Sequence, residues 1–246
     1  MAGLKPSSMD RYTKLHVWML LPFILAQVGI FYFYWPDFSN NTWEIHIHYW
    51  LVSLWYLLVV VQPYLIQTKQ IANHRTLGIL GFAIAGGVIF TGISLMDIPL
   101  RIIDNADPNR PGPPVFFFYG LLMAEFLEMV AFAIAVVMGV IHRHNVKEHA
   151  WWLVASVFYM IAPALGRGMI VLWRSLLPPE SFRPPFAFIS LELVYLPLLL
   201  LYAYKFGKIK HLATLIGVLL VVVRFISRPL GSIEAVQDFL RSLIVY

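Results

Sequence analysis

Residues 115–141 read VFFFYGLLMAEFLEMVAFAIAVVMGVI, an apolar run that is long enough to cross a bilayer and yet holds two carboxylic acids. A bilayer core of about 30 Å needs about 20 residues of helix. Glu125 and Glu128 both fall well inside this run. A charged side chain in hydrocarbon is costly unless it is paired, metal-bound or hydrated. The stretch therefore predicts a membrane helix whose acids face other polar groups.

Similar apolar runs on both sides of this stretch predict an all-α integral membrane protein with seven transmembrane helices. The seventh run has twelve uninterrupted residues before Arg224, whose guanidinium we expect to reach the membrane surface. Residues 232–246 place apolar side chains on one helical face, which predicts a short C-terminal interfacial helix. Residues 1–246 are thus expected to form a single transmembrane domain. Its predicted spans are residues 15–35, 45–67, 76–97, 115–141, 150–173, 186–206 and 212–227.

The composition is that of a chain whose surface faces lipid. Of 246 residues, 60% are hydrophobic and 13% are charged, which lies far from the average of soluble domains. No cysteine is present, so disulfides, thiolate metal sites, iron–sulfur clusters and cysteine nucleophiles are excluded. The net charge of +5 does not indicate nucleic-acid binding, because Lys and Arg lie in short loops between apolar runs. The predicted partner is the lipid bilayer.

The distribution of basic residues predicts the orientation of the chain. Alternate segments hold ten Lys and Arg on the side of the N-terminus, while the opposite loops hold four, which are Arg101, Arg110, Arg174 and Arg183. The C-terminal part adds Arg224, Arg228 and Arg241 on that opposite side. Cytoplasmic loops usually carry the excess of positive charge. We therefore expect a multi-pass protein of the bacterial inner membrane, with a cytoplasmic N-terminus and an external C-terminus.

Five ionisable residues are predicted to share one layer in the outer half of the bundle, as judged from a rise of about 1.5 Å per residue. They are His48, Glu125, Glu128, Arg167 and Glu192. Three acids against one guanidinium leave a surplus of negative charge, which a low-dielectric bundle does not tolerate unprotected. Either carboxyls are protonated or a cation binds there.

Three interpretations of this layer stay open at the sequence level. In the first, Arg167 clamps one carboxylate and the other acids stay protonated, as interhelical glue. In the second, His48, Glu125, Glu128 and Glu192 bind iron, zinc or manganese. In the third, the acids form a protonatable transport or catalytic path.

Most histidines lie on the predicted cytoplasmic side. His74 opens the third span and His149 opens the fifth, so both rings are expected near one position, as a haem with two axial imidazoles requires. Arg75 and Lys147 would then meet the haem propionates. The alternative is that these are ordinary interfacial loop histidines. The six histidines on this side are His16, His74, His142, His144, His149 and His211.

Several short motifs resemble a group of bacterial integral membrane proteins with an H-R-x-L-G junction and a P-A-x-G-R helix. The resemblance covers about 130 residues and rests on His46-Ile-His48, Gln62-Pro63, His74-Arg75-Thr76-Leu77-Gly78, Glu148-His149 and Pro163-Ala164-Leu165-Gly166-Arg167. That group in turn resembles cytochrome b561. The resemblance implies haem b between transmembrane histidines and electron transfer across the bilayer, with His74 and His149 as the inner pair. The fourth span offers only Glu125 and Glu128 where an outer pair would need a histidine.

These features favour a membrane redox protein. In this hypothesis His74 and His149 bind haem b, while Glu125, Glu128, Glu192 and His48 form a proton path, a metal site or a quinone pocket, the partner being a quinone or another membrane redox carrier. One alternative is a proton-coupled small-molecule carrier or channel that uses the same acids. Another is a structural subunit of a membrane complex. A retinal protein is excluded, since no span holds an interior lysine.

Overall fold

The computed structural model describes residues 12–105, 113–178, 181 and 184–244. Within these ranges the chain forms nine α-helices and one 3₁₀ turn. Seven helical segments are long and apolar enough to cross a membrane, the third of which runs from α3 into α4. The predicted class, an all-α integral membrane protein, is therefore confirmed. The helices are α1 Leu15–Tyr34, α2 Trp43–Gln67, α3 Ile71–Ser94, α4 Ile98–Asp104, α5 Val115–Ile141, α6 Val146–Leu176, α7 Pro184–Lys205, α8 Leu212–Leu230 and α9 Glu234–Leu243.

Most predicted spans agree with these helices to within three residues, but the third and fifth spans begin earlier than predicted. Helix α3 begins at Ile71 rather than at residue 76. The fifth span begins at Val146 rather than at residue 150, because the Asn145 side chain accepts a hydrogen bond from the Glu148 backbone N–H and caps the helix. Helix α4 was not predicted, since seven residues show too little periodicity. Its start is favoured by Pro99 within the first turn. Four residues of the predicted charge distribution lie outside the described residues: Lys5, Arg11, Arg110 and Arg183.

The two ends of the bundle contain different helix ends. The histidine end contains the start of α1, α3, α6 and α8 and the end of α2, α5 and α7. The opposite end contains α4, α9 and the connection from α1 to α2.

Helix α6 is the central helix of the bundle. It packs against α1, α2, α5, α7 and α8, and nearly all of its residues from Trp151 to Gly166 are buried or nearly so. The contact with α1 is very close, because a Cβ on Gly29 would lie 2.3 Å from the backbone oxygen of Ala164. Small residues thus let two membrane helices touch through their backbones.

Helices α2 and α3 also pack through small residues. A Cβ on Gly81 would meet the side chain of Leu58 at 2.4 Å, and one on Gly87 would meet Leu51 at 2.9 Å. The third span carries two series of small residues at four-residue spacing, Gly81 with Ala85 and Ala83 with Gly87 and Thr91. The structure places a glycine of each series in the contact with α2.

Polar contacts close the histidine end between α6 and the connection from α7 to α8. The Glu148 carboxylate accepts hydrogen bonds from the amine of Lys208 and, at 2.6 Å, from Nε2 of His211. His211 also caps α8, since its Nδ1 accepts from the Ala213 backbone N–H at 3.1 Å. This ring nitrogen must therefore be unprotonated, and the proton lies on the nitrogen that faces Glu148.

The C-terminal helix α9 lies against the opposite end. Leu240 is 4% exposed and packs into a small core with Tyr119 of α5 and Leu100 of α4. Phe239 and Leu243 stay at least half exposed, which suits a helix that lies along a membrane interface. Arg241 pins the helix, because its guanidinium donates to Tyr119 and to Asp104 at 2.7 Å.

Replacing Arg241 with Ala is expected to loosen α9 without unfolding the bundle. Both members of the Arg241–Asp104 pair are more than one third exposed, so the loss should be about 1 kcal/mol or less. Chymotrypsin cleavage at Phe239 should then become up to about fivefold faster. Glu234→Gln on the same helix is the control, and equal cleavage rates in the two variants would contradict the assignment.

Candidate functional site

A buried arginine holds two glutamates from different helices at the centre of the bundle. Arg224 of α8 donates from Nη1 to Glu128 of α5 at 2.5 Å. Its Nε and Nη2 donate to both carboxylate oxygens of Glu192 of α7, at 2.6 and 2.9 Å. This two-pronged contact is the strongest geometry that arginine offers a carboxylate. The face of the Tyr195 ring covers the guanidinium, 4.4 Å from Cζ.

The triad lies deep within the bundle. Glu128 is 5% exposed, and Glu192 and Arg224 are each 8% exposed. Glu128 is the middle residue of α5, about 20 Å from either helix end. The prediction that Arg224 reaches the membrane surface is therefore wrong. Its guanidinium meets two carboxylates inside the bundle.

Arg167 is not the clamp that was predicted. Its Nη1 donates to the backbone oxygen of Pro163 on its own helix at 3.2 Å. No salt bridge to Arg167 is found within the described residues. The salt bridges to Arg224 therefore join the fourth, sixth and seventh spans. The arginine that both acids contact lies on the interior face of α8.

The remaining predicted residues continue the layer beyond the triad. Arg167 interacts electrostatically with Glu125 of α5 and with His48 of α2. His48 shares a hydrogen bond of 2.9 Å with the Thr91 hydroxyl of α3. Glu125 in turn senses the charge of Glu128, one turn along the same helix. The layer thus draws side chains from α2, α3, α5, α6, α7 and α8.

The predicted metal site does not form in this arrangement. Throughout the described part of the chain, no group of three or more His, Asp or Glu side chains is placed to hold a metal ion. Two of the four proposed ligands, Glu128 and Glu192, bind Arg224 instead. His48 turns its Nδ1 to Thr91. A cation within the triad is thus provided by the protein itself.

His46 and His48 serve different contacts, as their spacing on a helix predicts. Nδ1 of His46 shares a hydrogen bond of 2.8 Å with the Tyr34 hydroxyl at the opposite end of the bundle. Tyr34 stacks on Tyr49 at a centroid distance of 3.7 Å. Aromatic residues gathered at a helix end are typical of a membrane interface.

At the histidine end, the structure brings the rings of His74 and His149 together. Their centroids are 6.4 Å apart, and the ring planes are nearly perpendicular at 81°. Nδ1 of His149 lies 2.7 Å from the backbone oxygen of Gly139. Because a carbonyl accepts, this nitrogen carries a proton, and Nε2 is the ring nitrogen that could bind a metal.

Unpartnered polar atoms surround the same region. Within the described residues, the buried side-chain atoms without a hydrogen-bond partner are Nδ1 of His16, Oε1 of Gln62 and Nδ1 of His74. All three belong to the histidine end, and Gln62 donates to the backbone oxygen of His74 at 3.2 Å. Buried polar atoms are normally satisfied, so each exception calls for an explanation such as water or a ligand.

Other histidines at this end have ordinary partners, as interfacial residues would. Nδ1 of His142 contacts the backbone oxygen of Met138 at 2.8 Å. His211 is held by Glu148, and His144 is exposed. The alternative of interfacial histidines thus fits these three. His149 has a comparable contact with a backbone oxygen, whereas His74 keeps a buried ring nitrogen without a partner.

No family model, curated protein or solved structure matches this chain. The resemblance to cytochrome b561 accordingly stays a prediction. What the sequence and geometry establish is an all-α protein with seven membrane-length helices, a buried polar layer at its centre and a histidine pair at one end.

Proposed function

We propose that this protein is a membrane redox protein that holds haem b between His74 and His149. The observation that carries the proposal is the approach of these two rings from α3 and α6. Imidazole nitrogens bind transition metals at about 2 Å. Two rings that share one metal ion would thus have centroids about 6 Å apart, which agrees with the 6.4 Å separation.

The surroundings of both rings suit such a ligand pair. A metal-bound histidine usually donates its other ring N–H to a carbonyl or carboxylate, and His149 does so to Gly139. His74 keeps a buried ring nitrogen without a partner. Arg75 is exposed directly beside His74 and is placed to meet a propionate, with Lys147 as the second candidate. When bound, haem b would supply one-electron transfer.

The proposed orientation places the histidine end in the cytoplasm of a bacterium, with the chain in the inner membrane. Lys69, Arg143, Lys205, Lys208 and Lys210 are among the basic residues at this end. Such an excess is typical of cytoplasmic loops. The redox partner would be a quinone or another membrane carrier.

Haem binding is tested by purifying the full chain and recording its absorption spectrum and iron content. We expect a Soret band in the wild-type protein that is largely lost in His74→Ala and in His149→Ala, because each variant removes one axial ligand. His142→Ala, at the same end but hydrogen-bonded to its own helix, should retain the band. A Soret band that survives both ligand substitutions would refute the assignment.

A proton-coupled carrier is the second candidate, and the polar layer favours it. Glu125 and Arg167 interact electrostatically without a salt bridge in the described contacts, so neither group is held by the other. Colourless, iron-free wild-type protein would favour this function over the first. The Arg224 triad by itself is equally suited to a structural role.

A further inference from the structure

The polar layer divides into a dry half and an accessible half. The dry half is the triad of Glu128, Glu192 and Arg224, which is buried. The accessible half consists of His48, Glu125 and Arg167, each of which keeps partial solvent exposure. Water can reach these three side chains inside the membrane only if their exposed surface faces the bundle interior and not lipid.

Helix geometry shows that Glu125 faces inward. The lipid-facing stripe of α5 is formed by exposed apolar residues. With about 100° per residue, Glu125 lies roughly 160° from the centre of that stripe. Its accessible surface therefore opens onto space inside the bundle that a water molecule can reach. The stripe consists of Leu127, Val130, Ile134, Val137 and Ile141.

His48 on α2 also faces the interior of the bundle. The exposed stripe there contains Ile47, Trp50, Leu54 and Leu57. His48 lies about 140° from its centre, where its ring contacts Thr91. Helices α2 and α5 thus border one interior gap, and Arg167 of α6 lies on its third side.

Arg167 leaves the Glu125 carboxyl without a direct partner. No salt bridge joins the two side chains within the described contacts, although they belong to the same layer. Both side chains are only partly buried, and polar groups that stay apart at longer distance can be bridged by water. Water in the gap would give the guanidinium and the carboxyl hydrogen-bond partners.

Direct hydrogen bonds distinguish Glu125 from the other two acids of the layer. Glu128 and Glu192 accept hydrogen bonds from Arg224, and Arg228 of the same helix also interacts electrostatically with Glu192. Glu125 has no such donor within the described contacts and lies one turn from Glu128, with which it interacts electrostatically. Of the three acids, Glu125 is therefore the one best placed to carry a proton.

The charged groups on the elements packed against α5 support this assignment. Helix α6 contributes Arg167, α8 contributes Arg224 and Arg228, and α2 contributes His48. Helix α3 offers only the Thr91 hydroxyl within the described layer. Arg241 and Asp104 bind each other at the opposite end. They lie beside Tyr119, which is six residues before Glu125 on α5. None of these groups neutralises Glu125 by direct contact.

We propose that Glu125 is a proton-exchange site, which water reaches through the gap between α2, α5 and α6. The ligand is a proton delivered by water, and Arg167 and His48 shape the electrostatic surroundings of the carboxyl. The assignment does not depend on haem, because its residues lie in the central layer and not at the histidine end.

Infrared spectroscopy of the full-length protein in detergent tests the assignment at neutral pH, where exposed carboxyls are ionised. We expect a C=O stretch from a protonated carboxyl that shifts within seconds of transfer to D₂O. Glu125→Gln should remove this band. Glu234→Gln, an exposed acid on α9, should leave it unchanged.

Glu125→Asp keeps a carboxyl at the site and should retain an exchanging band at a shifted frequency. Helical circular dichroism verifies that each variant is folded. A band that persists in Glu125→Gln overturns the assignment, as does wild-type protein without a protonated carboxyl band. A band that resists D₂O exchange overturns the water access. Haem content does not enter the readout, so failure here is distinguishable from failure of the redox proposal.

Discussion

Arg224→Met is expected to destabilise the protein more than any other single substitution in the polar layer. The change leaves Glu128 and Glu192 buried without their cation. Removing one partner of a buried ion pair costs about 3–5 kcal/mol, which corresponds to a fall of about 10 °C in Tm for a chain of this size. Thermal unfolding in detergent, followed by size-exclusion chromatography, measures the effect.

Two comparisons make this expectation specific to the triad. Arg167→Met should lower Tm much less, because Arg167 makes no salt bridge in the described contacts. Adding Glu128→Gln and Glu192→Gln to Arg224→Met should recover part of the stability, since neutral amides cost less to bury than unpaired carboxylates. Equal losses in Arg167→Met and Arg224→Met would show that the triad is not the central clamp.

Gly29→Ala should have the second largest effect, through packing alone. The added methyl group would lie 2.3 Å from the backbone oxygen of Ala164, and Gly168 also lies against Gly29. Neither neighbour is a flexible side chain, so α1 and α6 must move apart. Overpacking costs about 1–3 kcal/mol in well-packed cores, and we expect a loss of stability at the upper end of this range. Thermal unfolding should show it as a lower Tm.

Gly86→Ala is the matched control for this prediction. A Cβ on Gly86 would meet nothing within 4 Å. Alanine is favoured over glycine in a helix interior by about 1 kcal/mol, so Tm should stay unchanged or rise slightly. If Gly29→Ala were as stable as Gly86→Ala, backbone contact between α1 and α6 would not be a constraint on the fold.

The fold could be predicted because run length and hydropathy largely decide whether a helix spans a bilayer. Helix ends were less predictable, since a cap such as Asn145 depends on one side-chain hydrogen bond. The seven-residue helix α4 was missed for lack of periodicity. Its position follows from the contact of Leu100 with Tyr119, which is a tertiary effect.

Membership of the polar layer was largely predictable, but its pairing was not. Depth along each span indicates which charges share a layer, and it placed Glu128 and Glu192 correctly. The choice between Arg167 and Arg224 depends on the rotation of each helix within the bundle, which one sequence does not specify. Depth gave no clear signal, because Arg224 lies only three residues from the end of the predicted span 212–227. The helix continues to Leu230 in the structure, which places Arg224 about 9 Å inside its end.

The separation of the triad along the chain has a consequence for biosynthesis. Glu128 precedes its partner Arg224 by 96 residues, so α5 leaves the ribosome long before its counter-charge exists. Until α8 emerges, the carboxyl must be kept protonated, near lipid headgroups or within the translocon. Helix α1 needs no partner for a buried charge, because it bears no acid and no Lys or Arg. Closure of the bundle is therefore a late event that awaits the last membrane-crossing segment.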